Sequence, residues 1–426
     1  MEIIKYPPRS QWADLIQRPA LDVSTLFDTV RTILDAIRSE GDDALRRYEA
    51  QYDHVTLGNL EATPDEFAAA SDLLSPELRA AICTARANIE TFHATQRFTG
   101  RKIQTTPGVT CWQKAVPIEK VGLYIPGGSA PLFSTVLMLA IPARIAGCRE
   151  IILCTPPRPD GTIHPAILYA AREAGVSRVF KAGGIQAIAA MAYGTQSIPK
   201  TYKIFGPGNQ YVTAAKQLVS LKDVAIDMPA GPSEVEVIAD DTARPDFIAA
   251  DFLSQAEHGP DSQALLVTAS ETLAGPVAAA IDDQLNRLPR KEITAKALRH
   301  SRIIVLENTN QVIEFTNLYA PEHLIIQTRD YAALAERIEN AGSVFLGPYT
   351  PESAGDYASG TNHTLPTNGY ARAYSGVNLD SFIKKITFQE ITPDGIRALG
   401  PTIQTMAENE QLDAHRNAVT LRLDTL

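Results

Sequence analysis

The chain has 426 residues, of which 45% are hydrophobic and 21% charged, a composition typical of a globular protein with about two to three domains. Its 39 Lys and Arg against 49 Asp and Glu give 39 − 49 = −10, which disfavours a nucleic-acid-binding surface because displacing counterions from phosphates needs clustered positive charge. Four scattered cysteines form no C-x-x-C pair, so we expect neither a cysteine zinc finger nor a disulfide framework.

The N-terminus and the most apolar segment bear on the location of the chain. The first residues, MEIIKYPPRSQWADLI, lack the basic region, apolar stretch and cleavage site of a secretory signal. The apolar segment 134–146 contains Pro142 and Arg144 and is too short to span a bilayer. We therefore expect a cytoplasmic protein with no membrane partner.

The first half of the chain changes its pattern near residue 120. Before it, segments 25–53 and 76–96 place apolar residues three to four apart, which predicts helices. From Val121 onwards, four short apolar runs, VGLYI, EIILCT, RVFKAGG and YKIFGPGN, each lead through Gly or Pro into a helical segment. This alternation predicts a parallel sheet with crossover helices.

A second series of alternating strands and helices follows Pro232. Its strands are EVEVIAD, ALLVTA, RIIVLE, HLIIQT and SVFLG, which predict a second α/β unit. Segment 348–376 is rich in Gly, Ser, Thr and Pro without a period, and loops of that length are usually functional. Strand 382–391 and helix 410–423 form a C-terminal tail.

Three glycine-rich loops follow predicted strands: Pro126-Gly127-Gly128, Ala182-Gly183-Gly184 and Gly206-Pro207-Gly208-Asn209. The first turn of a helix has unpaired N–H groups that suit phosphate or carboxylate. No loop matches the dinucleotide fingerprint, since Tyr211 stands where the third glycine belongs, and no Walker A lysine is present. Tight turns explain any one loop, but three at the carboxyl ends of parallel strands predict a ligand crevice.

Two pairs of residues in the second series combine histidine with a further polar group. Gln255 and His258 lie three apart near the predicted end of a helix, in the string QAEHGP. The alternative is a histidine that favours the helix dipole, with Gly259 as a left-handed C-cap. Glu322 and His323 are adjacent at a strand entrance, where a plain surface turn is the alternative because neighbouring side chains in extended backbone point to opposite faces.

Further acid and histidine pairs lie nearer the C-terminus. Asp356 and His363 occur together in the long loop, whereas Glu410 and His415 flank the last helix, where a dipole-favouring acid and a surface histidine are the alternative. Zinc accepts mixed N/O ligands when cysteine is absent. A set suited to zinc, which spacing alone does not predict because its members are far apart, is Gln255, His258, Asp356 and His415. The pair Glu322 and His323 would remain for acid/base work.

A family resemblance adds what spacing cannot. The strings YIPGGSAPLFSTVLMLA, FGPGN, MPAGPSE, SQAEHGPDSQ, APEHL and SAGDYASGTNHTLPT, followed by LDAH in the tail, resemble the histidinol dehydrogenase family over essentially the whole chain. The resemblance implies oxidation of L-histidinol to L-histidine through an aldehyde, with NAD as oxidant, one zinc ion per site and a homodimer with intertwined subunits.

The resemblance also implies roles for individual residues. It places zinc on Gln255, His258, Asp356 and the partner's His415. Substrate contacts by likeness are Ser233, Gln255, His258, His323, Asp356, His363, Glu410 and His415. NAD contacts by likeness are Tyr124, Gln186 and Asn209, and the catalytic acid/base pair is Glu322 and His323.

The predicted fold is therefore α/β, with two Rossmann-like parallel-sheet domains, a helical N-terminal segment and a small C-terminal dimerisation tail. We divide the chain into an arm (1–20), a discontinuous domain with the catalytic and zinc residues (21–122 and 235–377), an inserted domain with the NAD contacts (123–234) and a tail reaching the partner subunit (378–426).

Two departures and several alternatives accompany the resemblance. Gln411 stands where many family members have glycine, and Ile185 where alanine is common. A related branch oxidises other amino or sulfonated alcohols, but this chain keeps His363, Glu410 and His415, which favours histidinol. A regulatory metal- or nucleotide-binding protein would be expected to lose the acid/base pair, and the H-E-x-x-H motif of a zinc hydrolase is absent.

Overall fold

The computed structural model describes residues 1–19, 23–127, 130–228 and 231–426. The strands are β1 (Glu2–Lys5), β2 (Ile103–Thr106), β3 (Val109–Pro117), β4 (Lys120–Tyr124), β5 (Glu150–Thr155), β6 (Arg178–Lys181), β7 (Lys203–Phe205), β8 (Ala225–Ile226), β9 (Glu234–Ala239), β10 (Gln263–Thr268), β11 (Arg302–Val305), β12 (His323–Gln327), β13 (Ser343–Leu346) and β14 (Ile383–Ile391).

The α-helices alternate with these strands over most of the chain. They are α1 (Trp12–Leu15), α2 (Phe27–Glu40), α3 (Asp42–Tyr48), α4 (Pro64–Asp72), α5 (Pro76–Ala94), α6 (Phe133–Ala146), α7 (Pro165–Ala174), α8 (Gly184–Tyr193), α9 (Gln210–Ser220), α10 (Pro245–Ala256), α11 (Glu271–Leu285), α12 (Lys291–Ala297), α13 (Thr309–Tyr319), α14 (Tyr331–Ala335), α15 (Glu352–Tyr357), α16 (Pro393–Asn409) and α17 (Asp413–Leu423). A π-helical turn, Glu49–Asp53, follows α3. In the ranges described, no helix is both long and apolar enough to cross a membrane.

A five-stranded parallel sheet has the order β6-β5-β4-β7-β8. Its central strands are buried on both faces, as expected for a parallel sheet covered by crossover helices. Helices α4 to α7 contribute to the apolar core on one face, and α2, α3, α8 and α9 to the core on the other. The carboxyl ends of β4 and β7 therefore meet at the point where the strand order reverses.

A six-stranded parallel sheet has the order β1-β11-β10-β9-β12-β13. Helices α10 and α11 pack on one face, whereas α13 and Trp12 of the N-terminal arm pack on the other. The arm also supplies β1, which pairs with β11 at the edge of the sheet. Apart from β1, the strands repeat the order of the five-stranded sheet, with β9 at the centre.

The C-terminal tail is built on a small antiparallel sheet of order β14-β3-β2. Strand β14 pairs with β3 along its whole length, from Ile383 opposite Pro117 to Ile391 opposite Val109. Helices α16 and α17 follow and pack mainly against each other. Large apolar side chains remain exposed on this tail, among them Phe388, Met406 and Leu421.

The structure confirms the predicted α/β class and both parallel sheets, and most predicted strands agree within two residues. The prediction that the chain is mainly helical before residue 120 missed β1, β2 and β3. Strand β1 pairs with β11 and β3 with β14, hundreds of residues away, and no local pattern reports such pairing. Strand β2 pairs only with its neighbour β3, as a short hairpin. Helix α16 was also missed, because Gly395, Gly400 and Pro401 interrupt its periodicity.

The helices of residues 27–94 pack on the five-stranded sheet, whereas the prediction grouped them with the strands of the other sheet. Their apolar faces complete the cores around β4 and β5. The domain boundaries stay a prediction. The four cysteines are free, as the scattered positions predicted.

Candidate active site

A buried polar cluster lies at the amino edge of the six-stranded sheet. Glu234 begins β9 and His323 begins the neighbouring strand β12. The N–H of Glu234 donates to Glu322 Oε2 at 2.8 Å, and its carbonyl oxygen accepts from Gln255 Nε2 at 3.1 Å. His323 Nδ1 lies 3.1 Å from the same carbonyl and 2.9 Å from Gln255 Nε2. The backbone of one residue therefore organises three of the predicted site side chains.

Glu234 is itself anchored by the N-terminal arm. Arg18 donates from Nε and Nη2 to the two carboxylate oxygens of Glu234, at 3.0 and 2.9 Å, and both side chains are buried. The guanidinium also donates to the carbonyl of Tyr319 at 2.6 Å and lies 3.8 Å from the centre of its ring. A bidentate pair of this kind fixes both position and orientation.

His323 lies between carboxylates. Its Nδ1 is 3.6 Å from Glu322 Oε2, and its Nε2 is 3.6 Å from Asp356 Oδ1. Burial alone would lower the pKa of His323, but Glu322, Glu352 and Asp356 outweigh it and raise this pKa well above its usual value. Burial raises the pKa of Glu322, and the charge of the neighbouring His323 offsets part of this rise. The two adjacent side chains thus act on each other, contrary to the surface-turn alternative.

A set of donor groups suited to a metal ion adjoins this pair. The ligand atoms of His258, Glu352 and Asp356 lie within 4.8 Å of one another. Burial alone would raise the pKa of Asp356, yet the nearby imidazole of His323 holds this pKa below its usual value, which favours the ionised carboxylate. Within the described residues, neither Gln255 Oε1 nor Glu352 Oε1 has a hydrogen-bond partner. Buried oxygens without a donor are what a cation would satisfy, and imidazole with carboxylate suits zinc.

The structure contradicts the alternative in which His258 stabilises the dipole of α10. Helix α10 ends at Ala256, so His258 lies beyond its last turn, and Gly259 does not have a positive φ. The residue instead enters the loop to β10, on the same edge as His323. The proposed left-handed cap at Gly259 is therefore wrong.

His363 joins the cluster to the other sheet. Its Nδ1 is 2.8 Å from the carbonyl oxygen of Asp356, and its Nε2 is 3.2 Å from Thr135 Oγ1. Thr135 lies in the first turn of α6, which follows β4 of the five-stranded sheet. The amino edge of one sheet consequently meets the carboxyl edge of the other.

A cavity of ≈ 860 Å³ opens at that carboxyl edge, and Tyr124, Gln186 and Asn209 all line it. Tyr124 Oη accepts from the N–H of Gly184 at 3.1 Å, at the start of α8. Asn209 caps α9, its Oδ1 accepting from the N–H of Tyr211 at 3.0 Å. Two helix N-termini thus border a cavity large enough for a nucleotide, which suits a pyrophosphate. Gly128 of the first predicted loop lies outside the described residues.

An acidic pair that the sequence did not single out lies under this cavity. Glu49 Oε1 accepts from the N–H of Gly183 and from Gln186 Nε2, both at 2.9 Å. Burial and the neighbouring Asp53, which lines the cavity, raise the pKa of Glu49 to about 8. Both residues belong to the π-helical turn, and such turns are frequent at functional sites.

Of the remaining predicted site residues, one lies beside the cluster and two lie on the C-terminal tail. Ser233 directly precedes Glu234, and its carbonyl accepts from the N–H of Gln263 at 3.0 Å, so it lies at the amino edge with the cluster. Glu410 and His415 are exposed on the tail, and the structure does not bring them to the cluster of their own chain. Their roles stay predictions, as do the other residue roles taken from the resemblance.

Comparison with known proteins gives the family. A sequence model of histidinol dehydrogenase matches residues 16–423. A histidinol dehydrogenase of Bacteroides thetaiotaomicron is 67% identical over 426 residues, all of both chains, and one of Escherichia coli K12 is 54% identical over 419 residues, 98% of this chain and 96% of that one. The chain belongs to the histidinol dehydrogenase family.

The fold comparison agrees with the family assignment. A crystal structure of histidinol dehydrogenase from Elizabethkingia anophelis is 56% identical, with a TM-score of 0.98 over 100% of this chain and 98% of that one. Histidinol dehydrogenases are oxidoreductases of histidine biosynthesis that use NAD and bind zinc. The clustered donors and the nucleotide-sized cavity of this chain are consistent with both.

The structure gives a physical reason for the two departures from the family pattern. Gln411 has φ = +59°, a left-handed conformation that glycine adopts without strain, which accounts for glycine in many family members. Ile185 lines the cavity directly after Gly184, so its larger side chain changes the cavity surface and no reacting group.

Proposed function

We propose that this chain catalyses the oxidation of L-histidinol to L-histidine, the last step of histidine biosynthesis, in the cytoplasm, with zinc bound and two NAD molecules as successive oxidants. One observation carries the proposal: a buried Glu322–His323 pair and a metal-type donor set lie at a sheet edge that His363 links to the start of α6, next to the edge where a nucleotide-sized cavity opens. Hydride transfer requires such closeness of alcohol and nicotinamide.

The residues that would hold zinc are Gln255, His258, Asp356 and the partner subunit's His415. Support comes from the unpartnered Oε1 of Gln255 and the ionised Asp356 within the described cluster. Zinc supplies a template that orients the imidazole and amino nitrogens of histidinol, and a positive charge that opposes the effect of the carboxylates on His323.

The first oxidation uses His323 as general base. His323 accepts the hydroxyl proton of histidinol, and NAD would accept the hydride from the carbon that bears this hydroxyl, which gives the bound aldehyde, NADH and a proton. His323 suits this role because its Nε2 is buried and has no hydrogen-bond partner in the described chain. Ser233 and His363 of the same chain would contact the substrate, together with the partner subunit's Glu410.

The second oxidation begins with water. Glu322 accepts a proton from a water molecule that adds to the aldehyde, and His323 returns the proton it holds to the carbonyl oxygen, which completes the gem-diol. His323 then accepts a hydroxyl proton again, and a second NAD would accept the second hydride. The products are histidine, NADH and protons. Retention of the aldehyde between the steps prevents its reaction elsewhere, which the burial of Glu322 and His323 favours.

NAD would bind in the cavity, with Tyr124, Gln186 and Asn209 as its contacts. Asn209 and Tyr124 set the N-termini of α9 and α8, where backbone N–H groups favour the pyrophosphate. Gln186 is held by Glu49, so its orientation is fixed before the cofactor arrives.

The protein would act as a homodimer with shared sites. Glu410 and His415 are exposed on a tail that also exposes Phe388, Met406 and Leu421, which a second copy would cover. Mixing inactive His258→Ala and His415→Ala proteins tests this, because hybrids with one intact site should regain part of the activity. Mixing either protein with itself is the control, and no regain in the hybrids would contradict the shared site.

The stoichiometry of NADH tests the reaction itself. Purified protein supplied with L-histidinol should form two NADH per histidine, lose activity on chelation and regain it with zinc. The alternative function is a dehydrogenase of another small amino or sulfonated alcohol. Such a protein would oxidise other amino alcohols or a sulfonated alcohol faster than histidinol, so these compounds are supplied as competing substrates. No NADH from histidinol with zinc restored would contradict the proposal.

A further inference from the structure

Glu352 is a buried carboxylate beside the proposed zinc ligands, and the family resemblance gives it no role. It begins α15, one helical turn before Asp356, so the two carboxylates share a face of that helix. Its side chain is buried, with 1% of the residue exposed. A buried carboxylate is unfavourable unless a cation or several donors compensate it.

The two oxygens of Glu352 have different surroundings. Oε2 accepts from Ser254 Oγ at 3.2 Å, a neutral donor on α10. Oε1 is buried and has no hydrogen-bond partner among the described residues. No Lys or Arg of the described ranges forms an ion pair with Glu352 at 4.0 Å or less. The compensation that the second oxygen needs is therefore not supplied by a donor or a cationic side chain.

His323, the histidine that could compensate the charge of Glu352, already lies beside two other carboxylates. His323 has Glu322 at 3.6 Å from Nδ1 and Asp356 at 3.6 Å from Nε2. The single imidazole of His323 faces three carboxyl groups, so it cannot compensate the burial of all of them. Glu352, in contrast, shares its 4.8 Å cluster with His258 and Asp356, two of the proposed zinc ligands.

We infer that Glu352 is a further metal ligand, supplied by the chain itself, which holds the ion together with Gln255, His258 and Asp356 until His415 of the partner subunit arrives. The inference rests on the proposed function, which assigns zinc to this cluster. The donor set of one imidazole, one amide oxygen and two carboxylates is one that zinc accepts. Each chain would then load its metal before the shared site is complete.

Metal affinity in a background without His415 tests the inference. Metal-free His415→Ala protein and the double variant His415→Ala/Glu352→Gln are titrated with zinc against a chromophoric chelator. Glutamine keeps the shape of the side chain and removes its charge. We expect His415→Ala to retain one metal ion per chain and the double variant to bind it about 100-fold more weakly or worse, beyond the effect typical of an outer-shell partner.

A second readout separates a ligand from a nearby charge. Cobalt(II) in place of zinc reports its own ligands by visible absorption, so the spectrum should differ between His415→Ala and the double variant. Glu236→Gln in the same background is the matched control, since Glu236 is a buried carboxylate on β9 whose Oε1 accepts from Thr316 Oγ1, and it is not a member of the cluster. It should leave both affinity and spectrum unchanged.

Thermal unfolding of the metal-free proteins tests whether a variant loses metal because it is misfolded. The Glu352→Gln protein should unfold at the same temperature as the parent or higher, because a buried charge has been removed. A loss of affinity well below 100-fold, an unchanged cobalt spectrum, or failure of His415→Ala alone to bind metal would each overturn the inference. A wild-type protein that produces NADH from histidinol while Glu352→Gln binds zinc normally would overturn this inference and leave the proposed function intact.

Discussion

The two parallel sheets share one strand order but use opposite edges. In the five-stranded sheet, β4 is central and the cavity opens at the carboxyl ends of β4 and β7, the usual ligand position in such folds. In the six-stranded sheet, β9 is central, yet the acid/base pair and the metal-type cluster lie where β9 and β12 begin. In the proposed function, opposite use of the two sheets would let the cofactor and the substrate face each other across one boundary.

The loops after the central strands explain the difference. The carboxyl edge of the six-stranded sheet has a smaller cavity, of ≈ 360 Å³, whose lining includes Asp240 and Asp241 directly after β9. Asp240 accepts from the N–H of Thr242 at 2.9 Å and from that of Arg329 at 2.9 Å. The carboxylate of Asp240 thus occupies N–H groups that could otherwise bind a phosphate. Both carboxylates also add negative charge, so this edge disfavours a nucleotide.

His323→Gln tests the amino edge with the largest expected effect. Removal of the general base should lower kcat of both oxidations by about 10³-fold, within the range for loss of such a group. The affinity for NADH, bound at the other edge, should change little. Steady-state kinetics and NADH titration measure the two, with His300→Gln as a histidine control outside the cluster; a large loss of NADH affinity would break the comparison.

Glu322→Gln separates the two oxidations at the same edge. Glutamine still accepts from the N–H of Glu234 but cannot take a proton from water. We expect the aldehyde oxidation to slow about 10²-fold and the alcohol oxidation much less. Single-turnover assays that start from histidinol and then from the aldehyde measure both, and equal slowing would argue against the assigned division of roles.

Tyr124→Phe tests the carboxyl edge of the five-stranded sheet. The change removes the oxygen that accepts from the partly buried N–H of Gly184, a hydrogen bond that contributes about 1 kcal/mol. We expect roughly tenfold weaker NADH binding with unchanged zinc affinity. Tyr193→Phe, at the far end of the same helix, is the matched control; weaker zinc binding in Tyr124→Phe would mean that the edges are not separable.

Glu49 predicts a pH dependence of stability from beneath the cavity. Its pKa is about 8 when folded, against 4.5 ordinarily, so between these values the folded chain holds a proton that the unfolded chain has released. Stability therefore falls as pH rises from 5 to 8, by at most about 1.4 kcal/mol per pH unit from this residue. Urea unfolding at several pH values should show a smaller slope for Glu49→Gln than for the exposed control Glu339→Gln; equal slopes would exclude a proton on folded Glu49.

The sequence predicts the local elements well because they follow from local pattern. Helix α9 follows the predicted strand YKIFGPGN, where the pattern predicts a helical segment, and Asn209 of its glycine loop borders the cavity as expected of a strand-to-helix turn. The adjacency of Glu322 and His323 likewise survives folding, since both contact the backbone of Glu234.

The cluster itself does not follow from pattern. Gln255, His258 and Asp356 lie on different elements, so their meeting depends on tertiary packing and was reached through the family resemblance. Glu352 escaped notice because α15 is too short to show a helical period inside a Gly- and Ser-rich segment. His415 needs a second subunit, which no spacing within one chain reports.

The anchor from Arg18 to Glu234 sets an order of events during synthesis. The arm leaves the ribosome first, but Glu234 emerges more than 200 residues later, and the β11 partner of β1 later still. At a typical elongation rate this wait lasts roughly half a minute. Throughout that interval Trp12 lacks Phe315, its aromatic neighbour in the folded chain, so the arm completes its packing only after the second sheet has been synthesised.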